Sequence, residues 1–142
     1  MKNLQNKIKS LAENFFRETV EIRRHLHAYP ELSFKEYKTS EYIQQKLKAY
    51  SIPFTSGLAE TGVVGLIKGK TPSSKCIALR ADIDALPIQE LNDFDYTSKN
   101  SGVMHACGHD VHTASLLGVG RILNELKEEW EGTIKLIFQP GE

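Results

Sequence analysis

The chain has 142 residues, 40% of them hydrophobic and 25% charged, which is typical of one globular domain with a buried core. Its 18 basic and 18 acidic residues cancel, which argues against nucleic acid or an anionic membrane as a partner and favours a small molecule. We predict a cytoplasmic protein with two reduced cysteines, because the sequence has neither a signal-peptide core nor an apolar run of membrane-spanning length.

Two amphipathic helices are predicted in the first third of the chain. The first carries apolar residues at spacings of three, four or seven from Leu4 to Leu26, and Pro30 terminates it. The second begins at Ser33, which we expect to form a capping box with Glu36. We interpret both apolar stripes as packing faces.

The rest of the chain alternates between strands and a helix. Strands are predicted at 62–67 and 75–81, and the segment between them suits a hairpin or a loop at a sheet edge. Helical spacing returns from about residue 110 to 128, and a last strand follows at 133–138.

The order strand, helix, strand from residue 75 to 138 predicts a βαβ unit with two parallel strands and a right-handed crossover. We therefore predict an α/β fold with a mixed sheet and flanking helices. Residues that follow parallel strands, or that enter the crossover helix, meet at the carboxyl edge of the sheet, where ligands bind. Five residues should share this crevice: Asp82, Asp84, Cys107, His109 and Glu142.

A metal-ligand loop is predicted at 104–112, where one thiol, three imidazoles and a carboxylate fall within nine residues, MHACGHDVH. Thiolate and imidazole suit zinc and its late first-row neighbours. Cys107 and His109 are two residues apart, and Gly108 between them permits the tight bend that this spacing needs. Glu142 follows a proline-glycine turn and is the candidate general base.

Other interpretations of this loop stay open. Cys107 and His109 could be a buried thiol and a surface imidazole, or Cys107 could be a nucleophile that His109 or His105 activates. The nucleophile reading is the weaker one, because it leaves the converging carboxylates without a purpose. The roles of three more residues stay open. Asp82 is either a site residue or a capping or turn residue after the strand. His105 and His112 either orient a ligand or cap the helix, or they are solvated loop residues.

Four other side chains have structural predictions. His25 and His27, at the end of the first helix, are expected to interact with the helix dipole. Cys76 lies in an apolar run and is expected in the core. Trp130 is expected to pack against the end of the crossover helix.

Four motifs occur in order along the chain: RRHLHAYPELS at 23–33, LRADIDALP at 79–87, MHACGHDVH at 104–112 and FQPGE at 138–142. Together they resemble the N-terminal part of the hippuricase-like branch of metal-dependent aminoacylases and carboxypeptidases. The resemblance implies a zinc-peptidase-like catalytic domain interrupted by a lid domain. It also implies hydrolysis of the N-acyl amide bond of N-acyl amino acids, such as hippurate, N-acetyl amino acids or indole-acetyl conjugates.

The resemblance also assigns roles to individual residues. Cys107 and His109 correspond to the first two metal ligands, with the cysteine standing where related peptidases have a bridging aspartate. Asp84 corresponds to the aspartate that supports the metal centre, and Glu142 to the general base. A further glutamate ligand would follow Glu142. The implied cofactor is a pair of divalent ions, Zn, Mn, Co or Ni.

The resemblance therefore makes residues 1–142 the N-terminal part of a catalytic domain, without the lid through which the family forms homodimers. The alternative is a catalytically dead module or pseudo-enzyme. In either case we expect the strand at 133–138 to present an open, apolar edge that favours self-association.

Overall fold

A computed structural model describes residues 2–141, except for the side chain of Lys2. Glu142, the predicted general base, lies outside the described residues. The described elements in chain order are α1 (Lys2–Ala28), α2 (Tyr37–Ala49), β1 (Phe54–Leu58), β2 (Gly62–Lys68), β3 (Cys76–Asp82), α3 (His109–Glu125), a 3₁₀ turn (Lys127–Glu129) and β4 (Thr133–Gln139). The predicted α/β fold is confirmed.

The four strands form one mixed sheet in the order β1-β2-β4-β3. β4 pairs parallel with β3, from Cys76 opposite Thr133 to Asp82 opposite Gln139, so the parallel pairing of the predicted βαβ unit is confirmed. β2 pairs antiparallel with β1 and with β4. Because β4 lies between β2 and β3, the segment between those two strands is a loop and not a hairpin.

The core lies between one face of the sheet and the helices. Alternate residues of β4 are buried, namely Ile134, Leu136 and Phe138, as expected for a strand covered mainly on one side. α2 and α3 pack against the sheet, and α1 packs against α3. Gly120 permits the close approach of α3, since a Cβ there would lie 2.5 Å from Leu136 Cδ1. Trp130 donates from Nε1 to the carbonyl of Leu123 at 3.0 Å, which confirms its predicted packing at the end of α3.

The predicted capping box of the second helix is wrong. α2 begins at Tyr37, and its first backbone N–H groups are capped from further upstream, since the Glu31 carboxylate accepts from Thr39 N at 2.8 Å. Glu36 is fully buried and accepts instead from Thr61 Oγ1 at 2.7 Å and from Gly141 N at 3.1 Å. The Ser33 hydroxyl donates instead to Asp84 Oδ2.

The strand at 133–138 was expected to form an open edge, and this prediction is also wrong. Among the described residues, β4 is paired on both sides, and β1 and β3 are the outer strands. Cys76, expected in the core, is exposed because β3 is an outer strand, and Ile77 is 54% exposed for the same reason. An apolar cavity of about 680 Å³ runs beside this edge, with Ile77, Val119 and Ile122 in its wall.

We expect the 142-residue chain to self-associate through β3, because unpaired apolar edge strands recruit further strands. Ile77→Lys should shift the chain towards the monomer, since charged residues protect such edges. Phe16→Lys, at an exposed position of α1, is the matched control and should leave association unchanged. Sedimentation velocity over a concentration series measures the effect. A wild-type chain that stays monomeric throughout would contradict the prediction.

Candidate metal centre

The candidate site lies at the carboxyl end of β3, where the chain enters α3. Directly after β3, the N–H of Ile83 donates to the carbonyl of Gln139 at 3.0 Å. This bond holds the backbone in place just before Asp84. His109 is the first residue of α3. Gly108 before it has a left-handed backbone with φ of 93°, which glycine adopts with little strain. The tight bend predicted between Cys107 and His109 therefore exists.

A buried carboxylate orients the His109 ring. Nδ1 of His109 lies 2.9 Å from Asp84 Oδ1 and 3.0 Å from the Asp84 carbonyl oxygen. Both oxygens only accept hydrogen bonds, so Nδ1 carries the hydrogen, and in the neutral ring Nε2 holds the lone pair that a metal ion requires. The two residues are 4–5% exposed, so the surrounding protein constrains the geometry of their side chains.

Cys107 shares a cavity with this pair. A pocket of about 370 Å³ is lined by Ser33, Asp84, Cys107 and His109, among others, and the Cys107 thiol is exposed. Of the four residues to which the resemblance assigns a role, Asp84, Cys107 and His109 thus lie together. A thiol, an imidazole with the correct tautomer and a supporting carboxylate are the donor set that zinc and related ions bind, so the described residues fit a divalent metal.

Asp82 and His112, whose roles the sequence left open, also lie at this site. Within residues 2–141, Asp82, His109 and His112 form a group whose candidate ligand atoms lie within 4.8 Å of one another. Asp82 also forms an ion pair with Arg80. Cys107 does not belong to this group, although it shares the cavity with His109. The site therefore holds more potential donors than the two predicted from the motif.

His105 is a buried imidazole beside the site. Neither of its ring nitrogens has a hydrogen-bond partner among the described residues. Burial lowers the pKa of His105 to about 4, so the ring is neutral near pH 7. Its predicted alternative as a solvated loop residue is wrong, because the side chain is almost completely buried.

His27 was predicted to interact with the helix dipole at a helix end, and it lies instead in a buried polar network. Its Nδ1 is 2.7 Å from Asp110 Oδ2 and its Nε2 is 3.0 Å from Glu90 Oε1. Arg23 Nε also lies 2.9 Å from Asp110 Oδ2. The pattern of α1 gave no sign of this, because Glu90 and Asp110 are 63 and 83 residues away in sequence.

Glu90 makes the stability of this network dependent on pH. Burial alone would raise the pKa of Glu90, but hydrogen bonds from Asn92 and from the Ser98 N–H, together with His27, lower it to about 2. A carboxylate with a depressed pKa stabilises the fold above its ordinary pKa of 4.5, and this contribution is lost as the pH falls towards 2.

We expect Glu90→Gln to lower the free energy of unfolding at pH 7, and the difference from wild type to shrink between pH 4.5 and 2. Urea unfolding of the 142-residue chain at several pH values measures this difference. Glu13→Gln, at an exposed position of α1, is the control and should show no such trend. A difference that stays constant over this range would contradict the assignment.

The part of the chain that contains this site is similar in sequence to known proteins. The family model described as peptidase family M20/M25/M40 matches residues 78–142, a stretch that contains three of the four motifs. The N-acyl-L-amino acid amidohydrolase of Geobacillus stearothermophilus is 44% identical over 138 residues, which are 97% of this chain and 37% of that protein. The N-acetyl-L-cysteine deacetylase of Bacillus subtilis is 48% identical over 126 residues, 89% of this chain and 30% of that protein.

A solved structure extends the similarity to the fold. The Bacillus subtilis YxeP protein, described as a dinuclear metal-binding peptidase of the M20 family, is 45% identical, with a TM-score of 0.87. The match covers 92% of this chain and 36% of that one. The chain thus spans about a third of the length of the relatives it matches. These matches confirm the resemblance that the four motifs predicted.

Proposed function

We propose that this chain, which is related by sequence and fold to peptidase family M20/M25/M40, is part of a metal-dependent amidohydrolase that cleaves the N-acyl bond of N-acyl amino acids. The observation that carries the proposal is the Asp84–His109 pair beside the exposed Cys107 thiol in one cavity. The names of two relatives, an N-acyl-L-amino acid amidohydrolase and an N-acetyl-L-cysteine deacetylase, support the substrate class.

Each residue has a separate role in this proposal. Cys107 and His109 bind the metal, and Asp84 holds the His109 ring so that Nε2 faces it. Glu142 accepts a proton from water and passes it to the leaving amine. A divalent ion held by Cys107 and His109 would supply polarisation of the scissile carbonyl and a lower pKa for water. The description of one neighbour as dinuclear supports two ions, and we propose Zn, Mn, Co or Ni.

The proposal concerns a protein longer than 142 residues. Because the relatives are about three times as long as their match to this chain, we propose that residues 1–142 are the N-terminal part of a catalytic domain. The remaining ligands and a lid domain that mediates dimerisation would come from the rest of that protein. The cytoplasmic location stays a prediction from the sequence, and no helix within residues 2–141 has the length and hydropathy needed to cross a membrane.

A second candidate function uses the same three residues differently. A thiol, an imidazole and a carboxylate that orients the imidazole also make up the catalytic triad of cysteine hydrolases. The exposed Cys107 thiol and the hydrogen bond between His109 and Asp84 favour this reading. It differs from the metal-dependent reading in needing the sulfur atom as a nucleophile and no ion at all.

Hydrolysis of N-acetyl amino acids by the longer protein, expressed from the reading frame that contains residues 1–142, distinguishes the two candidate functions. Metal-dependent hydrolysis should stop on chelation and return when zinc or manganese is added. Cys107→Asp should keep part of the activity, because a carboxylate also binds these ions, and Cys107→Ser should keep less. A thiol hydrolase would instead survive chelation and lose all activity in both variants. A dead module would show no turnover under any of these conditions.

A further inference from the structure

We propose that the segment 23–33 positions the metal ligand His109 from both sides, with Ser33 acting through Asp84 and His27 acting through Asp110. This inference rests on the proposed function, since it concerns how the proposed ligand is held. It gives a role to the first motif of the chain, RRHLHAYPELS, to which the proposed function assigns neither a metal ligand nor a catalytic residue.

Ser33 fixes the carboxylate behind His109. The Ser33 hydroxyl donates to Asp84 Oδ2 at 2.6 Å, while Asp84 Oδ1 lies 2.9 Å from His109 Nδ1. The two oxygens of one carboxylate therefore hold the serine and the imidazole, and the Ser33 bond restricts rotation of the carboxylate. The backbone around Ser33 is itself anchored, because Ala85 N donates to the carbonyl of Glu31 at 2.8 Å.

His27 fixes the start of the helix that carries His109. Asp110 directly follows His109 in the first turn of α3 and is almost completely buried. Its Oδ2 lies 2.7 Å from His27 Nδ1 and 2.9 Å from Arg23 Nε, so two side chains of α1 hold it. Removing His27 would leave the buried Asp110 carboxylate without its hydrogen-bond partner at Oδ2, which is costly because Asp110 Oδ1 already has no partner among the described residues.

His27 is held in place from its other side. Its Nε2 lies 3.0 Å from Glu90 Oε1, and Glu90 Oε2 accepts from Ser98 N at 2.7 Å. The ring therefore cannot turn away from Asp110 without breaking a second buried contact. Asp84 contacts the His109 ring and Asp110 is the next residue of α3, so segment 23–33 restrains both the ring and the backbone of the proposed ligand.

The consequence is a loss of metal affinity when either support is removed. Partners that hold a ligating histidine or its carboxylate typically change metal affinity by about 10–100-fold when they are lost. We expect Ser33→Ala and His27→Gln each to raise the zinc Kd of the longer protein by about tenfold or more. Ser33→Thr keeps the hydroxyl and should restore affinity to within about threefold of wild type.

The matched control for His27→Gln is His25→Gln. His25 lies one half-turn away on the same helix and stacks on Tyr42, with ring centroids 4.0 Å apart, outside the network. Zinc Kd is measured by competition with a chromophoric chelator, and thermal unfolding of the same samples reports stability. A merely structural role would lower the unfolding temperature while leaving the Kd of the folded protein unchanged, and that result would overturn the proposal.

A second measurement separates this inference from the proposed function. In the metal-free longer protein labelled with ¹⁵N-histidine, the ring-nitrogen shifts of His109 report its tautomer. Wild type and Ser33→Thr should show hydrogen on Nδ1 and sharp ring-nitrogen resonances. In Ser33→Ala the Asp84 carbonyl oxygen still accepts from Nδ1, so the hydrogen should stay there, but the His109 resonances should shift and broaden because the Asp84 carboxylate is less restrained. An unchanged His109 spectrum in Ser33→Ala would overturn the positioning role of Ser33. If the wild-type protein binds no metal, the proposed function fails, and this spectrum still decides the inference.

Discussion

Glu142→Gln in the longer protein is expected to lower kcat by about 10²–10⁴-fold, with metal content and KM close to wild type. Glutamine has nearly the shape of glutamate but cannot accept the proton from water. Steady-state hydrolysis of N-acetyl amino acids, with metal content measured on the same samples, gives the result.

The control for this variant is Glu125→Gln, at an exposed position near the end of α3, which should keep full activity. Loss of metal together with activity would make Glu142 a ligand and not the base. Near-normal turnover would remove Glu142 from the mechanism altogether.

Removing a proposed ligand is expected to have the second large effect. Cys107→Ala and His109→Ala should each weaken metal binding of the longer protein by more than the roughly 100-fold seen when supporting partners are lost. Metal content after gel filtration measures this, and activity should fall in parallel. The matched control is Cys76→Ala, which removes the other exposed cysteine, on β3, and should retain its metal. Equal metal in Cys107→Ala and wild type would contradict the ligand assignment.

The 142-residue chain by itself contains two of the metal ligands that the resemblance implies. We therefore expect weak metal binding by this chain and no measurable hydrolysis with or without added metal. Metal-dependent turnover by the purified chain would contradict this expectation.

Local sequence patterns were sufficient to predict most of the fold. The spacing and clustering of apolar residues predicted α1, α2, α3 and three strands. β1 was missed, since its five residues are mostly exposed and show no alternation. The exposed edge was assigned to the wrong strand because strand order depends on pairing between distant segments. Cys76 was misplaced for the same reason, since it lies on the outer strand β3.

The candidate site was also predicted only in part from the sequence. The spacing within one short loop predicted Cys107 and His109 as candidate ligands, and the βαβ order predicted that Asp84 lies at the same edge of the sheet. Ser33 was interpreted as a helix cap, although its partner Asp84 lies 51 residues away. His27 was likewise assigned to its own helix, while both of its carboxylate partners are on distant segments. Contacts of this kind depend on the tertiary fold and leave no local periodicity to detect.

The position of the metal in the longer protein tests the account most directly. Crystals of that protein, grown with zinc and measured at the zinc absorption edge, locate the ion by anomalous scattering. We expect an ion about 2.3 Å from Cys107 Sγ and about 2.0–2.1 Å from His109 Nε2, with the Asp84–His109 hydrogen bond intact. An ion held by Asp82 and His112 without Cys107, or no ion beside His109, would contradict it.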